Sequence, residues 1–180
     1  MIEKIRHWID KRSKLDLFLL KAGMLLMAYY LARMAFAQIP FLYEFAKAVR
    51  RTYARFLAEA SAWLLDVAGY NAQSVNRIVW IEGSQGVKVI NACLGWSVMA
   101  LFAGFVLIYP GIRKTKYWFI PMGILLVIAA NLIRITAMAW LSFEASHLLD
   151  FYHHYVFNLI LYLVVFSLWF LWIRWYGQKT

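Results

Sequence analysis

The sequence alternates between long apolar runs and short clusters of basic residues. The apolar runs are roughly 20 residues long, which is enough for a helix to cross a hydrocarbon core about 30 Å thick. They cover 17–39, 94–109, 117–141 and 155–173. Pro40 follows the first run and is expected to end it, because proline cannot continue the hydrogen-bond ladder of a helix. The pattern predicts an all-α integral membrane bundle of about four transmembrane helices.

Segment 41–69 also has helical periodicity, but it is amphipathic. Four basic residues form one stripe, and so many charges are too costly for the centre of a bilayer. We therefore predict an amphipathic helix lying at the membrane interface. The basic stripe consists of Lys47, Arg50, Arg51 and Arg55, and the opposite, apolar face consists of Phe45, Val49, Phe56, Ala60, Trp63, Leu64 and Val67.

Segment 70–92 is polar and contains two short β-branched stretches. Residues 75–80 and 86–90 partly alternate between apolar and polar side chains, and the turn residues of 82–86 separate them. This pattern predicts a short β-hairpin. The edges of a hairpin cannot lie exposed in lipid, so it must lie in water or against the bundle.

The basic clusters predict the orientation of the chain. Segment 1–16 is rich in lysine and arginine, and loop 110–116 carries three basic residues and no acidic one. Cytoplasmic segments of membrane proteins are enriched in such residues, so both segments are predicted to be cytoplasmic. With four spans, segment 41–92 then lies on the extracytoplasmic side. The chain is expected to form a single domain, 1–180, in the inner (cytoplasmic) membrane.

Composition narrows the functional classes. Of the 180 residues, 64% are hydrophobic, well above the roughly half that is typical of soluble domains. The net charge of +10 comes mostly from residues that flank apolar runs, so we interpret it as a topology signal and expect no nucleic-acid partner. A single cysteine excludes an intramolecular disulfide and any multi-cysteine metal site. We expect neither a metal ion nor another cofactor.

The predicted topology brings three chemically distinctive features to one face of the membrane. Cys93 lies at the outer end of the second span, and His153 and His154 precede the fourth. Arg134 lies inside the third span, where an arginine is costly and is by default a functional residue. A thiol, a guanidinium and an imidazole are sufficient for cysteine acyl transfer. The alternatives are that Cys93 only packs and that Arg134 is an anchor paired with Glu144, Asp150 or backbone carbonyls.

These residues stand in motifs that resemble those of the exosortase/archaeosortase family of membrane transpeptidases. Asn-Ala-Cys93-Leu-Gly is similar to the family's Ala-Cys-Ser-Gly motif, and Asn131-Leu-Ile-Arg134 is similar to its Asn-x-x-Arg motif. His154, followed four residues later by Asn158, corresponds to the family histidine. The sequence departs from the family pattern at Leu94, where serine is frequent, and at Asn158, where many members have glycine.

The resemblance implies a membrane-embedded cysteine protease or transpeptidase. Cys93 would be the nucleophile, Arg134 would stabilise the thiolate and the oxyanion, and His154 would be the general acid and base, with His153 as second choice. Asn131 and Asn158 are candidate substrate-binding residues. The implied partner is the C-terminal sorting segment of a secreted protein, which would be cut at the extracytoplasmic face and transferred to a lipid- or glycan-linked acceptor or to water. The rival interpretations are a non-catalytic scaffold subunit of an export system and a small carrier whose Arg134 binds an anion.

Overall fold

The computed structural model describes residues 16, 19–32, 34–35 and 38–176. The predicted cytoplasmic segment 1–16 therefore lies outside the described residues, apart from Asp16. The described chain is mostly helical. Its main helices are α1 (Leu19–Ala32), α2 (Pro40–Val67), α3 (Trp96–Ile108), α4 (Arg113–Glu144), the single turn α5 (Leu149–Phe151) and α6 (Phe157–Tyr176), and its strands are β1 (Ala72–Val75), β2 (Ile78–Ile81) and β3 (Val87–Lys88).

Three helical stretches are long and apolar enough to cross a membrane. They are Asn91–Ile108, Arg113–Glu144 and Ser146–Tyr176, and α1 is apolar but shorter. The predicted first span, 17–39, includes positions outside the described residues. The predicted helical membrane fold is confirmed. Helix α4 extends beyond the predicted 117–141 at both ends, because hydropathy detects only the apolar part of a helix.

Helix α2 packs largely through small side chains, which belong to neither of the two faces distinguished in the sequence. The predicted apolar face includes Phe56, Trp63 and Val67, whose side chains are 57%, 63% and 67% exposed. Bilayer-facing helices place large apolar side chains outward and small ones between helices, where they allow close approach. The buried face of α2, which packs against α4 and the sheet, consists of Ala54, Leu57, Ala58, Ser61, Ala62 and Leu65.

The predicted hairpin is part of a three-stranded antiparallel sheet in the order β1-β2-β3. Residues 75–80, predicted as one strand, are divided by a tight turn in which Asn76 has a positive φ of 58°. Asparagine tolerates this left-handed conformation better than most residues. Gly86 leads into β3, and a Cβ atom there would lie 2.7 Å from Cβ of Trp80, so this close approach requires glycine.

Two hydrophobic cores lie along α4. The first joins α2, the sheet, Cys93 and Leu94 to the C-terminal half of α4, including Ile135 and Ala139. The second joins α3 and α6 to the N-terminal half of α4 around Phe102, Val127 and Trp172. Helix α4 is shared by both cores, and Cys93 belongs to the core formed with the sheet and α2.

Candidate active site

Cys93 lies in a short 3-10 turn, Asn91–Leu94, that connects the sheet to α3. Its amide N–H donates to the carbonyl of Ile90 at 2.9 Å, and Gly95, with φ of 72°, ends the turn before α3 begins at Trp96. The thiol was predicted at a helix start and is found one turn before it. The side chain is 2% exposed, so only a narrow opening leads to the sulfur.

Asn131 fixes the position of this turn from the neighbouring helix α4. Its Nδ2 donates to the carbonyl oxygen of Cys93 at 2.7 Å, and the side chain is 1% exposed. Its Oδ1 is also buried and has no hydrogen-bond partner within the described residues. Asn131 was predicted to bind substrate, whereas its observed contact is with the backbone of the cysteine.

His153 is the histidine that the structure places beside the thiol. Its Nε2 lies 3.9 Å from Sγ of Cys93, within hydrogen-bonding range for sulfur. The ring is half-buried and belongs to a π-helical turn, Tyr152–Val156, that precedes α6. Such turns insert one residue into a helix and rotate the residues around them, and they are frequent at functional sites.

His154, the first choice from sequence, faces away from the thiol. Its Nδ1 lies 3.0 Å from the carbonyl oxygen of Asp150 and 3.3 Å from the Asp150 carboxylate, and the side chain is 60% exposed. Asn158 donates from Nδ2 to the carbonyl oxygen of His154 at 2.9 Å. His154 therefore contacts α5 and Asn158 contacts the π-helical turn, while His153 alone of the two histidines contacts Cys93.

Arg134 is buried on α4, one helical turn after Asn131. Its side chain is 7% exposed, and its Nε has no hydrogen-bond partner within the described residues. The ion pairs found between described residues join Lys47 to Glu44 and His154 to Asp150, so the predicted anchoring of Arg134 by Glu144 or Asp150 is not observed there. Arg134 lies on α4 between Asn131, which contacts the Cys93 turn, and Met138, which lines the same groove as Cys93 and His153.

A groove of about 340 Å³ gives access to the cysteine and histidine. This volume is near the lower end for ligand pockets, which range from about 300 to 1,000 Å³. One wall is the β3 segment and the other is formed by the ends of α4 and the α5 region. The lining residues are Gly86, Val87, Lys88, Ile90, Cys93, Met138, Ser146, Leu149, Asp150 and His153.

Arg77 supports the site and was missed in the sequence analysis. Its Nε donates to the carbonyl oxygen of Val89 at 3.0 Å, and its Nη2 donates to Oδ1 of Asn91 at 3.0 Å. The side chain thus clamps the segment that leads from β3 into the Cys93 turn. A basic residue within the first β-branched stretch, 75–80, was the available signal, but the sequence alone did not show what it contacts.

The candidate site combines a thiol, an imidazole and a nearby buried guanidinium. Across the described part of the chain, His, Cys, Asp and Glu side chains do not converge in groups of three or more that could hold a metal ion. Cys93 and His153 are in contact, and Arg134 lies nearby on α4 between Asn131 and Met138. This arrangement matches the residue types required for nucleophilic catalysis with charge stabilisation.

Comparison with known proteins gives the family. Neither the curated proteins nor the solved structures include a significant match to this chain. A family model described as transmembrane exosortase (Exosortase_EpsH) matches residues 17–175, which is nearly the whole chain. These residues include both cores, the sheet and every candidate site residue. The chain is therefore a multi-pass membrane protein that belongs to the transmembrane exosortase family.

Proposed function

We propose that this protein is a membrane-embedded cysteine transpeptidase with Cys93 as nucleophile, His153 as general base and acid, and Arg134 as charge stabiliser. The observation that carries the proposal is the 3.9 Å approach of Cys93 Sγ to His153 Nε2 inside an open groove. The family, whose members are generally cysteine transpeptidases, supports this reaction class. The same distance leads us to assign the role of base to His153 rather than His154.

In the proposed reaction, Nε2 of His153 accepts the thiol proton and the Cys93 thiolate attacks a peptide carbonyl. The negative oxygen of the tetrahedral intermediate is stabilised by the guanidinium of Arg134, which has no competing ion pair among the described residues. The carbon–nitrogen bond then breaks, and His153 returns the proton to the leaving amine. An amine acceptor or water attacks the thioester and releases Cys93.

The proposed substrate is the C-terminal sorting segment of a secreted protein, and the proposed site of cleavage is the extracytoplasmic face of the inner membrane. The proposed acceptor is a lipid- or glycan-linked amine, with hydrolysis as the alternative outcome. Basic residues Arg113, Lys114 and Lys116 lie at the end of α3 and α4 opposite Cys93. Because such clusters favour the cytoplasmic side, they support placing the groove on the outer side.

The test measures cleavage of a candidate substrate encoded in the same genome. This substrate is a secreted protein whose C-terminal end consists of a short motif, an apolar span and a basic tail. Cys93→Ala is expected to abolish cleavage while the protein still accumulates in the membrane. His153→Ala is expected to reduce the rate by at least about 100-fold, a typical loss for a general base. His154→Ala is the matched control and should remain within about fivefold of the wild type, because its ring contacts Asp150.

Normal cleavage by Cys93→Ala would refute the transpeptidase proposal and favour the scaffold interpretation. A loss of activity in His154→Ala together with normal activity in His153→Ala would instead reverse the assignment of the base. Accumulation of each variant in the membrane, measured by immunoblot, separates loss of chemistry from loss of protein.

A further inference from the structure

Strand β3 has one free edge, and the bond pattern shows which backbone groups lie there. The Val89 amide donates to the Arg77 carbonyl oxygen at 2.7 Å, and β3 pairs with β2 through Val79 opposite Val87 and Ile78 opposite Lys88. In an antiparallel ladder, hydrogen-bonded and non-hydrogen-bonded pairs alternate. Val87 and Val89 therefore direct their backbone groups toward β2. The N–H and C=O of Lys88, which lies between them, point away from the sheet.

The free edge of β3 forms a wall of the groove that contains the thiol. Gly86, Lys88 and Ile90 all line this groove, together with Cys93 and His153. These three residues alternate along the segment, and their backbone groups are not used by β2. Val87, which pairs with Val79 of β2, also lines the groove. The sheet order β1-β2-β3 makes β3 the terminal strand, and in the part of the chain that is described nothing pairs with its outer edge.

The segment also leads directly to the nucleophile. Lys88 precedes Cys93 by five residues, and the Arg77 side chain holds Val89 and Asn91 in between. A peptide lying along this edge would thus be held against a wall that is itself fixed relative to the sulfur. The opposite wall offers the apolar side chains of Met138 and Leu149 to the peptide's side chains.

We propose that the outer edge of β3 binds the peptide substrate as an additional strand, with main-chain hydrogen bonds to the N–H and C=O of Lys88. This inference rests on the proposed function, because the strand's purpose is to present a scissile carbonyl to Cys93. An added strand obtains affinity from main-chain bonds and specificity from pockets for alternate side chains. An unpaired edge beside a nucleophile is well suited to an extended segment, whereas a helical segment keeps its own backbone bonds.

The experiment uses Lys88→Pro, with Lys88→Ala as the matched control, in the full-length protein in lipid vesicles. Proline removes the Lys88 N–H, which β2 does not use, and proline is tolerated at such edge positions. The alanine variant loses the same side chain but keeps the N–H. Cys93 is the only cysteine, so its alkylation reports on the groove without a known substrate.

Two reagents are compared: iodoacetamide, and acetyl-tetraalanyl chloromethyl ketone, an extended peptide whose chloride is displaced by the Cys93 sulfur. Lys88→Pro is expected to lower the ratio of the peptidyl rate to the iodoacetamide rate at least fivefold, close to what losing one hydrogen bond costs in affinity. The reference is the ratio measured for Lys88→Ala, which lacks the same side chain but keeps the main-chain N–H. An equal ratio in the two variants would overturn the proposal.

A second measurement needs no variant. Chloromethyl ketones carrying a single N-methyl group at each of the inner alanines are compared on the wild-type protein, since N-methylation removes one main-chain donor. At least one analogue is expected to lose reactivity fivefold, and equal rates for all would overturn strand addition. Failure of the proposed function appears separately, as normal processing of the secreted protein by Cys93→Ala.

Discussion

At the scale of single residues, the informative feature is a buried guanidinium that has no counter-ion among the described residues. Arg134 is 7% exposed and has no ion pair with any described residue. A structural anchor would be expected to have such a pair, because a buried unpaired charge destabilises the folded protein. We therefore interpret Arg134 as a residue retained for the reaction, in which its charge is needed when negative charge develops on the substrate.

Arg134→Met is therefore expected to separate stability from activity. Processing should fall by at least about 100-fold, as for loss of an oxyanion donor. The thermal midpoint in lipid or detergent should be unchanged or should rise by about 2–4 °C, because an apolar side chain replaces an unpaired charge. Differential scanning fluorimetry and the cleavage assay measure the two effects.

The control is Arg174→Met, which changes an exposed arginine near the end of α6. It should leave processing within about twofold of the wild type, as surface substitutions usually do. A clear fall in the midpoint for Arg134→Met, with the control unaffected, would show that Arg134 is a structural anchor after all.

At the scale of elements, the position of β3 depends on the backbone at Gly86. A Cβ atom there would lie 2.7 Å from Cβ of Trp80 and 2.9 Å from the carbonyl oxygen of Val79, and the φ of 71° is in the left-handed region. Gly86→Ala should force β3 away from β2 and disturb the groove wall. We expect a lower thermal midpoint and a loss of processing of at least about tenfold, since small displacements of a site are costly.

Gly83→Ala is the matched control for that prediction. Gly83 has a comparable φ of 88°, but an added Cβ atom would meet nothing within 4 Å. The Gly83→Ala variant therefore has the backbone cost of a left-handed alanine, about 1–2 kcal/mol, without the steric contact. Comparable processing by both variants would mean that the close approach of β3 to β2 is unimportant for the site.

The helices could be predicted from sequence, but the packed face of α2 could not. A run of apolar residues about 20 long has few structural alternatives in a membrane protein, so hydropathy detects it. The amphipathic pattern of α2 distinguished a basic stripe and an apolar face, and the buried residues belong to neither. The helix buries Ala54, Ala58 and Ser61 against α4 and the sheet, because small side chains allow close approach between helices.

The site was predicted by residue type, whereas its details depend on local backbone geometry. Cys93, Arg134 and a histidine were identified because each is costly or unusual where it stands. The choice between His153 and His154 depends on a π-helical turn, which arises from tertiary packing and has no sequence period of its own. Strand β1, Ala72–Val75, was missed because its sequence lacks a strong apolar alternation.

At the scale of the whole molecule, the proposed orientation can be tested with single cysteines in a Cys93→Ala background. Gln85 lies in the exposed turn before β3, and Lys114 lies at the opposite end of the bundle, at the start of α4. In intact cells, a membrane-impermeant maleimide should label Gln85→Cys, whereas Lys114→Cys should require permeabilisation. The basic residues near Lys114 are the physical reason for this expectation.

A permeant maleimide should label both variants and serves as the control for reactivity. The reverse pattern, with Lys114→Cys labelled from outside, would place the groove in the cytoplasm and would contradict cleavage at the extracytoplasmic face.

The arrangement of the two cores has a consequence for biosynthesis. The core around Cys93 joins α2 to Ile135, Met138 and Ala139, which the ribosome adds more than 40 residues after the cysteine. At about 5–20 residues per second, several seconds pass before these residues are made. During that interval α2, the sheet and the thiol have no α4 to pack against. The core around Cys93 is therefore completed only after α4 has been made, so a nascent chain that ends before α4 exposes the thiol more fully than the finished chain does.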